Sequence, residues 1–197
     1  MGKKWIVMLG LVASLQVSAA PQQIIIVRHG EKPELSHQST ALQADVLSSR
    51  GYVRAYALAP YFINTFGQPD YVFAQQPDGS DESLRPLETC TPTAQTIKMP
   101  WGDYAKVNVD YSMNAFKDLA NHLLSDSRYD GKRVVICWEH HHINSLAQAL
   151  GVKEVLAKWP DNVFDVSDVL TYKDGSLTSF ERLPQQLLYG DTQNVPF

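Results

Sequence analysis

The stretch IIIVRHGE, residues Ile24–Glu31, decides the fold. Four consecutive β-forming apolar residues mark a strand buried on both faces, as in the parallel sheets of α/β proteins. The run then passes directly into Arg28, His29, Gly30 and Glu31. A strand that only builds a core usually ends in turn chemistry such as Asn-Gly. Here it ends in a guanidinium, an imidazole, the least hindered residue and a carboxylate, which is the chemistry of a site.

The other apolar strand, RVVICW at Arg133–Trp138, runs into Glu139-His140-His141-His142. In open α/β sheets, ligands bind beyond the carboxyl ends of the strands. If the two strands are neighbours, His29 meets the histidines at 140–142 in one crevice, with Arg28 adding fixed charge. Imidazoles and a guanidinium beside a glycine suit an oxyanion such as phosphate.

The surrounding pattern is α/β. Ser48 or Ser49 is placed to cap a helix whose apolar face is Ala55, Leu58, Ala59 and Phe62, stopped by Gly67 and Pro69. DYVFA at 70–74 reads as a short strand, and residues 86–98 as a helix that Pro92 kinks or restarts. KVNVDY at 106–111 alternates as an edge strand does, and 115–124 is an amphipathic helix. A helix over Ile143–Leu150 ends at Gly151, and residues 166–183 read as two strands joined at Lys173-Asp174-Gly175. The expected fold is a three-layer α/β sandwich. It has a mainly parallel central sheet, helices on both faces and an antiparallel edge addition near the C-terminus.

With 197 residues and 44% hydrophobic content, the chain is suited to one ordinary domain and is too apolar for disorder. Lys3 and Lys4, the apolar run Trp5–Leu15 and Val17-Ser18-Ala19 match a secretory signal cleaved after Ala19. The expected organisation is a signal peptide over 1–19 and one domain over 20–197, exported to a periplasm or the exterior with no stable membrane insertion. An uncleaved anchor is the alternative. The net charge is −4 and becomes −6 without Lys3 and Lys4. An acidic chain with no basic run is poorly suited to nucleic acid. Export permits a Cys90–Cys137 disulfide, but Cys137 lies in an apolar run where a small buried hydrophobe is the plainer reading, so the pairing stays open.

Four motifs in order resemble the histidine phosphatase superfamily, which includes phosphoglycerate mutases and histidine acid phosphatases. They are Arg28-His29-Gly30, Leu47–Phe62, SLRPLETCTPTAQTI at Ser83–Ile97, and VVICWEH at Val134–His140. The resemblance implies phosphomonoester hydrolysis without a metal or other cofactor, on a small phosphorylated substrate. It makes His29 the nucleophile that becomes a phosphohistidine, and Arg28, Arg85 and His140 the groups that hold the phosphate oxygens. His141 is the alternative register for His140. The proton donor is less defined. Glu139 is the first choice, with a carboxyl expected to be raised by burial, and Glu88, Asp78 and Asp81 are rivals. His37 and His122 read as surface residues, and Glu31 as a partner of Lys32 or Arg28. Loops 33–48 and 75–84 are placed to set specificity.

Two other functions compete. The Glu139–His142 cluster would serve a metal-binding exported protein, with zinc or copper held by imidazoles. A catalytically silent binder of phosphorylated ligands on the same fold is the third reading.

Overall fold

The computed structural model describes residues 20–34, 45–78, 82–100, 102–154, 156–195 and 197. The signal-like segment 1–19, His37 and Asp81 lie outside them. No helix among the described residues is long and apolar enough to cross a membrane.

Five strands form one sheet: β1 (Gln23–Arg28), β2 (Tyr71–Ala74), β3 (Arg133–Trp138), β4 (Val166–Lys173) and β5 (Ser176–Pro184). Their spatial order is β2-β3-β1-β4-β5. β1 and β3 are neighbours and parallel, in a register that sets Ile24 against Val134 and Arg28 against Trp138. β2 extends the parallel half beyond β3. β4 pairs antiparallel with β1, and β5 antiparallel with β4, so the C-terminal strand pair forms the expected antiparallel addition at one edge. The segment 106–111 is not a strand: only isolated bridges such as Phe73–Asn108 form there. Its polar residues pair locally, with Asn108 accepting from the Asp110 amide and donating to its carboxylate.

Among the described residues, four α-helices cover the sheet: α1 (Ser49–Phe66), α2 (Arg85–Ala94), α3 (Phe116–Ser125) and α4 (His140–Ala149). Strand alternation assigns them to two faces. Ile24, Ile26, Val134 and Ile136 pack with Leu119 and Leu123 of α3 and with Ile143 and Leu146 of α4. Ile25, Val27, Val135 and Cys137 pack with Leu58 and Phe62 of α1 and with Cys90 and Ala94 of α2. Ser48 caps α1 by accepting from the Gly51 amide, and Gly67 closes it with φ +93°. Pro92 lies within α2 without ending it.

Cys90 of α2 and Cys137 of β3 are joined in a disulfide across 47 residues of sequence. The bond ties the helix that begins at Arg85 to the strand that ends before Glu139. Replacing both cysteines by alanine is expected to lower stability by about 2–4 kcal/mol, because the unfolded chain regains the loop freedom. Urea unfolding of the oxidised protein and the double variant measures this.

Candidate active site

Parallel pairing of β1 with β3 brings the two strand ends side by side. The ladder continues one step further, with the His29 amide donating to the Trp138 carbonyl at 3.2 Å. Beyond this point both chains leave strand geometry, and the side chains of Arg28, His29, Glu139 and His140 are all buried.

His29 is the centre of the arrangement. Its Nδ1 lies 2.8 Å from the carbonyl oxygen of Gly30. A carbonyl only accepts, so Nδ1 carries the proton and Nε2 carries the lone pair. Burial lowers the imidazole pKa to about 3, opposed by the Gly30 bond and assisted by the charges of Arg28, Arg85 and His140. The ring is therefore neutral across the physiological range. The Gly30 amide donates to Thr89 Oγ1 at 2.8 Å, and that hydroxyl donates to the Arg85 carbonyl at 2.7 Å. The backbone holding His29 is thus tied to the first turn of α2, where Arg85 sits.

A second contact fixes the same segment. A Cβ added at Gly30 would lie 2.9 Å from the Gly51 carbonyl oxygen, so this chain segment runs directly against α1. Glu31 then meets α1 side chains rather than Lys32 or Arg28. It accepts from Arg50 at 2.9 Å and from Arg54 Nη2 at 2.7 Å. Arg54 is fully buried and also donates to Asp191 at 2.7 Å and to Gln185 at 3.2 Å.

Arg28 takes a position that its place in the motif did not reveal. Its Nη1 lies within hydrogen-bonding distance of three carbonyls of one loop: Pro160 at 3.2 Å, Asp161 at 2.9 Å and Val163 at 2.8 Å. Its guanidinium carbon lies 3.8 Å from the centre of the Phe164 ring. Burial lowers its pKa to about 10, partly offset by Glu139 and Asp161, and it remains cationic at neutral pH. Arg28 therefore anchors the 160–164 loop as well as contributing charge beside His29.

Sequence reasoning missed that loop. Pro160-Asp161-Asn162 reads only as a turn, yet Asp161 Oδ1 lies 3.0 Å from Nε2 of His140. Asp161, Phe164 and Arg85 line a cleft of about 1230 Å³ together with Lys32 and Arg50. Trp159 Nε1 donates to the Val163 carbonyl and Asn144 of α4 to the Ala157 carbonyl, holding the loop from both sides.

The histidines at 140–142 belong to a helix, three residues earlier than its apolar pattern suggested. Glu139 is its N-cap: Oε2 accepts from the His141 amide at 2.8 Å, the role a capping side chain plays for an otherwise unpaired helix amide. Oε1 lies 2.6 Å from His140 Nδ1 and 2.8 Å from His141 Nδ1, and Oε2 lies 3.2 Å from His142 Nδ1. Burial alone would raise the Glu139 carboxyl, as expected of a proton donor. The hydrogen bond and charge of His140, with His142 and His141, outweigh burial and hold it at about 2. Glu139 is thus an ionised carboxylate, which corrects the expected raised pKa. Glu88 is also committed elsewhere, accepting from the Leu47 amide at 2.7 Å and the Tyr52 hydroxyl at 2.6 Å. His122 is partly buried rather than at the surface, against Tyr111 and Asp126. Among the described residues, Glu139, His140 and His141 place ligand atoms within 4.8 Å of one another, close enough to share a metal ion.

No family model matches the chain, and no curated protein matches it. Solved structures are similar to it in fold. Phosphoglycerate mutase from Bacillus anthracis is 12% identical, covers 85% of this chain and 95% of its own, and has a TM-score of 0.49. Phosphoserine phosphatase from Entamoeba histolytica, in complex with 3-phosphoglyceric acid, is 14% identical over 84% of this chain and 99% of its own, with a TM-score of 0.44.

The Arg54 network generates a stability prediction. Arg54→Met leaves the Glu31 and Asp191 carboxylates without their buried cation. Removing one member of such a group is expected to cost about 3–5 kcal/mol. Urea unfolding at neutral pH gives the value, and a loss under about 1 kcal/mol would mean that the network is solvated.

Proposed function

We propose that the chain is a phosphomonoesterase of the histidine phosphatase type, with His29 as nucleophile. The observation that carries this reading is the tautomer of His29. The Gly30 carbonyl holds the proton on Nδ1, so Nε2 presents a lone pair beside the cationic side chains of Arg28 and Arg85.

Attack by Nε2 forms the nitrogen–phosphorus bond as the bond from phosphorus to the substrate oxygen breaks. Water then attacks the phosphohistidine and releases inorganic phosphate, which restores neutral His29. Charge on the transferring phosphoryl oxygens is stabilised by Arg85, by Arg28 and by His140. The route asks no metal to activate the nucleophile, because imidazole is already neutral in this environment. The open cleft beside Arg85 accommodates a small phosphorylated substrate, and Lys32 on its wall suits a further anionic group.

His29→Ala is expected to lower kcat for p-nitrophenyl phosphate roughly a thousandfold or more, with chelator present throughout. Wild type quenched during turnover is expected to carry acid-labile phosphate on His29. Activity near the wild-type level in the variant would exclude the mechanism, and a phosphate-binding but inactive wild type would favour a silent binder. The depressed pKa adds a sign. Protonation of His29 removes the nucleophile only as pH falls towards about 3, so no loss of activity between pH 7 and 5 is expected from this group.

Glu139 is assigned to positioning rather than proton donation. As an ionised cap it orients the first turn of α4 and, through its 2.6 Å contact, the ring of His140. Glu139→Gln is therefore expected to slow alkyl and nitrophenyl phosphates by similar factors. A proton donor would be needed much more by the alkyl leaving group. A selective loss on alkyl phosphates would restore Glu139 as the acid.

Export is part of the proposal. Its support is the signal-like segment 1–19 together with a disulfide, a bond that persists in oxidising compartments. N-terminal sequencing of the protein made in a secretion-competent host is expected to begin at Ala20. A chain retaining Met1 in the membrane fraction would mean anchoring instead.

A further inference from the structure

The rings of His140 and His141 stack with centroids 3.9 Å apart and lie between two carboxylates. Glu139 Oε1 faces both Nδ1 atoms, at 2.6 and 2.8 Å. Asp161 Oδ1 faces the opposite edge, 3.0 Å from His140 Nε2 and 3.9 Å from His141 Nε2.

This bracket distinguishes the two ring nitrogens of His140. Asp161 lies at Nε2, so Nδ1 is the ring nitrogen that faces Glu139. The side chain of His140 is about nine-tenths buried, yet Nδ1 makes no aligned hydrogen bond despite the short contact. A metal ion suits the gap, since it draws donors from several directions at once. The Asp161–His140 pair then supplies the carboxylate–imidazole support that orients metal-bound histidines.

We propose that Glu139 Oε1, His140 Nδ1 and His141 Nδ1 bind one divalent cation of the zinc class, and that its binding draws Glu139 off the His140 ring that it orients and inhibits turnover. Two imidazoles and one carboxylate favour zinc over magnesium or calcium, which take oxygen ligands. Tetrahedral zinc with bonds of about 2.0–2.1 Å separates its donors by roughly 3.3 Å. Binding therefore needs Glu139 to move back by roughly 0.5–0.7 Å from the two imidazoles. The exposed side of His141 leaves the fourth position open to water. The inhibitory limb rests on the proposed phosphatase activity; the binding limb does not.

The test is calorimetric titration of Zn2+ into the purified full-length chain, without a histidine tag, alongside His141→Ala and His122→Ala. His141 lies outside the proposed catalytic group, and His122 with Asp126 is a separate histidine–carboxylate pair. One equivalent is expected to bind wild type and His122→Ala alike. Affinity is expected to fall at least tenfold in His141→Ala, with its thermal unfolding midpoint unchanged in chelator. Absence of saturable 1:1 binding, or equal affinity in His141→Ala, would overturn the site. Zn2+ is further expected to inhibit p-nitrophenyl phosphate turnover in wild type at concentrations that track the calorimetric affinity, with His141→Ala at least tenfold more resistant. Binding at this site with turnover unaffected would overturn the inhibitory limb alone. If wild type has no phosphatase activity, the titration still decides the binding site.

Discussion

The parallel pairing of β1 with β3 is the constraint from which the site follows. Hydrogen bonding in a parallel ladder fixes the register residue by residue, so two apolar strands of six residues end at the same level. Residues separated by more than a hundred positions are thereby brought to one edge. Because both strands are buried on both faces, a slip in register would shift the two chain ends apart and break packing on both sides of the sheet. The position of His29 relative to His140 is thus set by the same apolar contacts that stabilise the fold.

Three attachments convert that edge into a defined geometry. The Cys90–Cys137 bond ties α2 to β3, and Thr89 ties the same helix to Gly30. Arg28 gathers three carbonyls of the 160–164 loop and brings Asp161 to His140. Glu31 binds Arg54, which is shared with Asp191 near the C-terminus. Each attachment uses a polar group that burial makes costly to leave unsatisfied, so the packed fold and the organised site support each other. The burial that neutralises His29 is one result.

Burial acts with opposite outcomes on two neighbours. For His29 it disfavours the charged form, nearby cations act in the same direction, and the ring stays neutral. For Glu139 burial also disfavours the charge, but three imidazoles and a helix amide oppose it and the carboxylate prevails. Two titratable groups at the ends of adjacent strands therefore take different states: an uncharged imidazole, and an anion that holds imidazoles in place.

The sequence by itself determined the strands β1 and β3, a cap at Ser48 or Ser49, the turn at Asp174-Gly175 and the alternation of strands with helices. These depend on runs of side chains and on turn and capping chemistry within a few residues of one another. It also singled out Arg28, His29 and the histidines at 140–142 as groups suited to one oxyanion, to which the family resemblance added Arg85. The rest required the tertiary structure. Glu139 became a helix cap because α4 starts at His140; the periodicity of Ile143, Leu146, Ala147 and Leu150 reached back only to Ile143 and did not mark the first turn. The Cys90–Cys137 bond, the three carbonyls on Arg28, the Arg54 network and the approach of Asp161 to His140 all join residues distant in sequence. No local pattern encodes such contacts, and the environment that sets the charge of His29 and Glu139 exists only once the chain has packed around them.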